Sequence, residues 1–565
     1  YFNTNRKIKF MDYLSELTTS ELFDIGLIRQ NGKIEINIPP ETNIYKMTLG
    51  NYLCDEYINN PAIIFEHLNG KIQNFTFGQV EEMAHGLASK LNSLGYGFGS
   101  NVAIHTGQHP DTAIAHMAIC KIGGVAVTLS QLYGPETLKH AMNDCKVEVL
   151  ITSSQAWENL RKTKSDDFPY LKYVILREPD EGSKEISLID AYYYESNFQP
   201  RYGLANDPAL LMYTSGSTGK PKGILHGHRV LASYKPSINL FFNLSMKKEN
   251  AVFWSPSDWA WVGGLLDMLF PAWMAGKAIA TSEDRFNTEW AYKFIERHKV
   301  THTFLAPTAI KRLAQLENPR DKYDLSLEVV CTGGEALASE TLEWAENKLG
   351  VVCNEFYGMT EVNHLVGNCK ALYPRKPGSM GRIYPGHKVL LIDEELSEVD
   401  TNNTGEIVTT STSPTRFLGY LNNSAKEDDM KIGSYLRTHD LASKDSDGYF
   451  WYKGRSDDLI KSSGFRIGPA EIEDSLLSHE AISEAAVIGK PDQDRGSIVK
   501  AFVKLHKKYK PSKELKEEIR SFVRENLAAY KAPREIEFVE NFIMTSSGKI
   551  NRRILREIEN KQINI

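Results

Sequence analysis

Residues 213–223, YTSGSTGKPKG, constrain this chain more than any other stretch. They follow an apolar run at 209–212 that reads as a buried strand, and apolar character resumes at Ile224. Between the two lie hydroxyls, flexible glycines and the lysines Lys220 and Lys222. Small residues let successive backbone N–H groups turn toward an anion and form a phosphate nest. A solvated polar turn is the alternative that a short glycine and serine run favours by itself. A kinase or GTPase loop of the GxxxxGK[ST] kind is excluded twice, because Thr214 stands in place of its first glycine and Pro221 in place of its hydroxyl residue.

A chain of 565 residues exceeds a single core and implies roughly two to four domains or subdomains. Its net charge of −6 offers no basic footprint for nucleic acid. The cysteines at 54, 120, 145, 331, 353 and 369 form no CxxC pair, which suits reduced thiols better than disulfides or zinc. No apolar run reaches the length of a membrane span. The expected location is cytoplasmic. Arg6, Lys7 and Lys9, with no early acid, resemble the start of a transit peptide, which would instead place the protein in the mitochondrial matrix; Met11 is a candidate initiator behind Tyr1.

Strand and helix patterns alternate along the chain, as in an α/β domain. Thr76 and Gln79 have the capping-box form, and Val80, Met83, Ala84, Leu87, Leu91 and Leu94 follow at helical spacing until Gly95. The spacing predicts a strand at 102–104, a helix at 111–122 and a strand at 125–129, with the same alternation through 292–310 and 329–356. Residues 453–458, KGRSDD, are polar without periodicity and read as an exposed connection. Beyond them Pro469 starts a helix bearing Ile472, Leu476 and Leu477, 485–488 and 500–503 read as strands, and Ser512 caps a helix with Leu515, Ile519, Phe522, Val523 and Leu527 on one face. The expected architecture is an α/β large N-terminal domain of several subdomains, residues 1–454, and a small α+β C-terminal domain, residues 455–565, on a hinge near Asp457.

Four further polar sites stand out. The YGMTE motif at 357–361 follows a strand-like run, so Thr360 and Glu361 can sit at a sheet's carboxyl edge and offer a hydroxyl to phosphate and a hard oxygen to Mg²⁺. Asp440, just upstream of Gly454 and Arg455, has the chemistry to hold ribose hydroxyls, and equally that of a turn residue with a surface salt bridge. The segment KSSGFR at 461–466 places glycine between basic residues, as a phosphate approach or a plain loop. TSSGK at 545–549 is a polar turn ending in Lys549.

Together, in this order and spacing, these sites resemble the acyl-adenylate-forming (AMP-binding) superfamily of acyl-CoA synthetases, luciferases and peptide-synthetase adenylation domains, across about residues 50–555. The segments SGFRIGPAEIE at 463–473, PDQDRG at 491–496, VKAFV at 499–503 and YKAPR at 530–534 look most like medium-chain acyl-CoA synthetases, relatives of acetyl-CoA synthetase.

The resemblance implies two half-reactions: a carboxylic acid and Mg·ATP give acyl-AMP and pyrophosphate, and CoA then takes the acyl group and releases AMP. It assigns Thr214, Ser215, Gly216, Ser217, Thr218, Gly219 and Lys220 to the β- and γ-phosphates. Gly334, Glu335, Ala336, Tyr357 and Gly358 fall to adenine, Asp440 and Arg455 to ribose, and Arg466 to a phosphate. Thr360 and Glu361 would place the α-phosphate and Mg²⁺, and Lys549 would bridge the acyl carboxylate and the nucleotide. Ser463, Gly464, Phe465, Arg495 and Lys531 would meet CoA.

Trp261, Gly263 and Gly358 would line the acyl pocket. Gly358 stands where acetyl-CoA synthetases carry a tryptophan, which implies an acid longer than acetate, medium-chain or branched, unless Trp254 or Trp259 refills the space. His439, Met359 and Ile543 depart from a usual glycine, glutamine and proline. The implied partners are a small carboxylic acid, ATP and CoA, with a homodimer left open. The alternatives are an adenylation enzyme that loads a carrier protein and an acetyl- or propionyl-CoA synthetase.

Overall fold

The computed structural model describes residues 14–162, 167–214, 221–335, 337–456, 458, 460–462, 465–492, 495–527, 529–544 and 550–563. The basic segment around Arg6 and the candidate initiator Met11 lie outside them. Among the described residues no helix is long and apolar enough to cross a membrane.

Two large sheets form the N-terminal part. In the first, Asn101–His105, Val125–Thr128, Val149–Thr152 and Tyr173–Leu176 run parallel. Strand β1 (Pro208–Thr214) joins the Val125–Thr128 strand in parallel, then turns into antiparallel β2 (Lys222–Gly227). The apolar run ahead of the glycine-rich segment is thus a buried strand, as its composition predicts. The helix α1 (Arg229–Phe241) follows β2.

In the second sheet five parallel neighbours lead from Pro61–Glu66 to β3 (Val329–Gly333) and β4 (Val352–Met359). There the direction reverses: β4 pairs antiparallel with β5 (Asn363–Gly367), leaving Thr360 and Glu361 in the turn between them. The predicted capping box is present, with Thr76 and Gln79 each bonding the other's backbone amide at the start of Phe77–Ser93.

A third, antiparallel sheet contains β6 (Tyr435–Lys444) and β7 (Phe450–Arg455). Here the sequence reading needs correction. Residues 453–455 are not an exposed connection but the end of β7, with Gly454 buried. Arg455, at the end of β7, is the cross-strand partner of Asp440. The small C-terminal part has its own five-stranded sheet, in which Ile482–Asp492 and Gly496–Leu505 form a long hairpin. Both strands extend well past the predicted 485–488 and 500–503. The KSSGFR segment, left between a phosphate approach and a loop, forms a hairpin from Ile460–Ser462 and Phe465–Ile467.

The first helix of this part, α2 (Pro469–Leu477), packs against β7, so closely that a Cβ at Gly468 would lie 2.2 Å from the Lys453 carbonyl oxygen. The last helix, α3 (Arg552–Ile563), is fixed by bidentate bonds from Arg552 to Glu473, at 3.0 and 2.6 Å, and by Arg556 on Asp458. Five cysteines are buried and Cys54 is exposed; all six are free thiols.

Candidate active site

The glycine-rich segment is held at its two ends. Thr214 and Lys222 are cross-strand partners in β1 and β2, so the chain leaves and returns at one point of the sheet's edge. Tyr133 and Tyr213 brace this point. The Tyr133 hydroxyl donates to the Tyr213 carbonyl at 2.7 Å, and the Tyr213 hydroxyl donates to Asp144 at 2.9 Å.

The Thr360–Glu361 turn is tied to the same edge from the other sheet. The amide of Phe417 donates to the Glu361 carbonyl at 2.8 Å, and the next amide, Leu418, to the Leu225 carbonyl of β2 at 2.7 Å. The Gly419–Tyr420 strand then pairs with β2, which sets the Tyr420 hydroxyl 2.6 Å from Oε1 of Glu361. Loss of hydration raises the Glu361 carboxyl above its ordinary range, against the Tyr420 hydrogen bond and the charges of Lys426 and Lys222. Burial pushes nearby His226 down to about 4.

A second cluster surrounds Asp440. Tyr357 donates to its Oδ2 at 2.7 Å, Tyr452 to its Oδ1 at 3.2 Å, and Arg455, the cross-strand partner of Asp440, sits 3.7 Å from Oδ1. The preceding His439 holds φ at +60°, a left-handed conformation that glycine adopts without a Cβ penalty. That is a physical reason for the family's glycine at this place. Glu406 accepts the His439 amide at 3.1 Å, and Asp429 lies 3.4 Å from its ring.

Gly334 also has positive φ, +86°, in the turn after β3. Beyond Glu335, the Leu337 amide donates to Glu355 of β4 at 3.2 Å. Burial pushes the Glu355 carboxyl up to about 8.

Ser215, Gly216, Ser217, Thr218, Gly219, Lys220, Ala336, Asp457, Ser463, Gly464 and Lys549 lie outside the described residues, as do the side chains of Phe465 and Arg466. Ser462 pairs with Gly496, which brings the 460–467 hairpin beside Arg495. Lys531 is engaged by Glu471 of α2 at 2.7 Å, so it needs to exchange that partner to meet an anion.

The acyl-pocket reading changes at two positions. A Cβ on Gly358 would lie 2.0 Å from the Asn363 carbonyl oxygen, so glycine is needed there by the close approach of β5. The missing side chain therefore does not by itself measure room for an acid. At Gly263 the space is taken by Phe304, whose ring would lie 2.5 Å from an added Cβ. Trp261 stands edge-on to Tyr133. Trp254 does not refill the space near Gly358: it packs with Phe286, Trp290 and Phe294, whereas its neighbour Phe253 faces Phe242 and His302.

Tyr420, Tyr452 and Glu355 escape sequence reasoning. Tyr420 is 59 residues from the carboxylate it orients, and a tyrosine in a short apolar strand carries no signal of that contact.

Comparison with known proteins now decides the family. The model of the AMP-binding enzyme family matches residues 53–421, and that of the AMP-binding enzyme C-terminal domain matches 471–549. The chain belongs to the AMP-binding enzyme family. It is an AMP-forming ligase. The chain is 34% identical to an acetyl-coenzyme A synthetase of Bacillus subtilis, over 90% of this chain and 89% of that protein. It is 29% identical to the mitochondrial acyl-coenzyme A synthetase ACSM3 of Mus musculus, over 98% of this chain and 96% of that one. Among solved structures, the anthranilate CoA ligase AuaEII in complex with anthranoyl-AMP superposes with a TM-score of 0.81 at 27% identity, covering 94% of this chain and 99% of that one. The expected fold class, a large α/β part with a small C-terminal domain, agrees with these neighbours.

Proposed function

We propose that this AMP-forming ligase joins a carboxylic acid to CoA through an acyl-AMP intermediate. The likeness of its 463–473, 491–496 and 530–534 segments to medium-chain acyl-CoA synthetases, rather than any space at Gly358 or Gly263, supports a medium-chain or branched acid. The observation that carries the reading is the meeting of the β1–β2 edge with the Thr360–Glu361 turn through Phe417, Leu418 and Tyr420. It sets the two ends of the glycine-rich segment beside an oriented carboxylate, which supports the reading.

In the first step a carboxylate oxygen bonds to the α-phosphorus of ATP while the bond to the β-phosphate oxygen breaks and pyrophosphate leaves. The glycine-rich segment holds the departing phosphates, Asp440 and Arg455 hold the ribose, and Lys549 offsets charge that builds between acid and nucleotide. The hydroxyl of Thr360 and the carboxylate of Glu361 form a hard-oxygen donor set that fits Mg²⁺, which when bound polarises the α-phosphate and balances pyrophosphate charge. In the second step the CoA sulfur bonds to the acyl carbon, the carbon–oxygen bond to AMP breaks, and the thiol proton passes to solvent. Arg495, Lys531 and the 463–465 segment receive CoA. The small domain turns between steps on a hinge at Asp457, just beyond the end of β7.

ATP–pyrophosphate exchange across acids of rising length, followed by thioester formation with CoA, tests the reading. Exchange without thioester formation, restored by a phosphopantetheine carrier protein, would make the chain a carrier-loading enzyme instead.

A further inference from the structure

Behind the Thr360–Glu361 turn lies a polar trio in an apolar setting. Asp267 is 1% exposed, Tyr234 and His364 are 0% exposed. The Tyr234 hydroxyl donates to Oδ1 of Asp267, and Nε2 of His364 lies 3.3 Å from the same oxygen. The three come from different elements: Tyr234 from α1, His364 from β5, and Asp267 from a π-helical stretch, Leu265–Leu269. Such widened turns recur at functional sites.

Two features connect this trio to the reaction. The His364 ring lies against Phe356, with centroids 3.6 Å apart, and against Tyr234 at 4.3 Å. Phe356 immediately precedes Tyr357 in β4, and His364 is the cross-strand partner of Gly358. His364 is therefore the far leg of the hairpin whose turn bears Thr360 and Glu361. The other end of the trio, Asp267, sits about one helical turn beyond Gly263, which faces Phe304; Phe304 and Phe356 lie 6.3 Å apart. Acyl-side and phosphate-side elements thus share one buried carboxylate.

Stability does not account for the trio. A buried charge costs several kcal/mol of hydration, and an apolar set of similar volume is often as stable. What the polar set adds is register: Oδ1 accepts from Tyr234 only when the π-helical stretch and α1 keep one relative position, and His364 of β5 is held 3.3 Å from the same oxygen by packing rather than by a hydrogen bond. We propose that Asp267 is a positioning residue: through Tyr234 and His364 it fixes the hairpin carrying Thr360 and Glu361 against the wall of the acyl pocket, so that a bound acid and the α-phosphate meet in line. This rests on the acyl-AMP reading above.

The test uses the full chain and three variants, Tyr234→Phe, Asp267→Leu and Asp267→Asn, in acid-dependent ATP–pyrophosphate exchange with parallel thermal melts. Tyr234→Phe removes a single oxygen and keeps the ring. Misalignment by a fraction of an ångström acts on kcat, so Tyr234→Phe is expected to lose about tenfold and Asp267→Leu about a hundredfold, with KM for acid and ATP within about threefold of the wild type. Asp267→Asn, which still accepts from Tyr234, is expected to recover most of the loss. A folded Tyr234→Phe protein with wild-type kcat, a change in KM alone, or losses that follow the unfolded fraction would each overturn the positioning role. Absence of exchange by the wild type with every acid would overturn the acyl-AMP reading as well.

Discussion

Tyr420 donates its hydroxyl hydrogen to Oε1 of Glu361 across 2.6 Å, and both residues are placed by the same pair of adjacent amides, Phe417 and Leu418. The carboxylate is oriented before any ligand arrives. Tyr420→Phe leaves that oxygen of the half-buried Glu361 carboxylate without its donor, a loss of about 1–3 kcal/mol. The expected outcome is about a tenfold fall in adenylation kcat and a higher Mg²⁺ requirement. Exchange rates titrated against Mg²⁺ check it; an unchanged requirement removes Tyr420 from the site.

Gly358→Ala is expected to lower stability by about 1–3 kcal/mol and to depress activity with every acid, since its Cβ collides with the Asn363 carbonyl. Were glycine there only to admit a longer acid, Gly358→Ala would keep its melting temperature and shift preference toward acetate. Ratios of kcat/KM for hexanoate and acetate, taken with the melts, separate the two roles.

Glu355 supplies a pH prediction. Burial raises its folded-state carboxyl to about 8 from an ordinary 4.5, so the neutral form is favoured in the folded protein. A raised folded value means stability that is full below about pH 4.5 and is lost as the pH climbs through 8, on the order of 5 kcal/mol in all. Glu355→Gln removes the titration. Its stability relative to the wild type should rise from about pH 5 and level off above about pH 8 in denaturant melts, and a constant difference would show that Glu355 does not titrate in this window.

On the proposed mechanism Lys549 acts in the first half-reaction alone. Lys549→Ala should cut acyl-AMP formation by roughly 10²–10³ while thioester formation from supplied acyl-AMP persists. Asp457→Pro, which restricts φ at the proposed hinge, should do the converse. Rapid-mixing assays of each half-reaction decide; equal slowing of both steps by Lys549→Ala would rule out the turning of the small domain.

The local setting of several candidate residues was readable in advance because their motifs are local. Thr360 and Glu361 occupy a turn after an apolar strand, Thr214 ends another, and Asp440 and Arg455 proved to be cross-strand partners. What stayed hidden depends on pairing between distant segments. KGRSDD is polar in composition, yet its first three residues are strand because β6 supplies their hydrogen bonds. Gly358 is likewise explained by Asn363 across the hairpin rather than by its own neighbours in sequence. Tyr452 reaches Asp440 from the adjacent strand, and nothing in its alternation marks the hydroxyl as functional.

The distribution of thiols gives the protein a built-in labelling site. Burial holds Cys120, Cys145, Cys353 and Cys369 up at about 12 and raises Cys331 well above the ordinary thiol value, so none offers a thiolate at neutral pH. Cys54 is the exposed exception. A maleimide dye added to the unaltered chain should attach at residue 54 alone. With a second dye on a cysteine introduced into the C-terminal sheet, energy transfer would then show whether the small domain travels during turnover, without removing a single native sulfur.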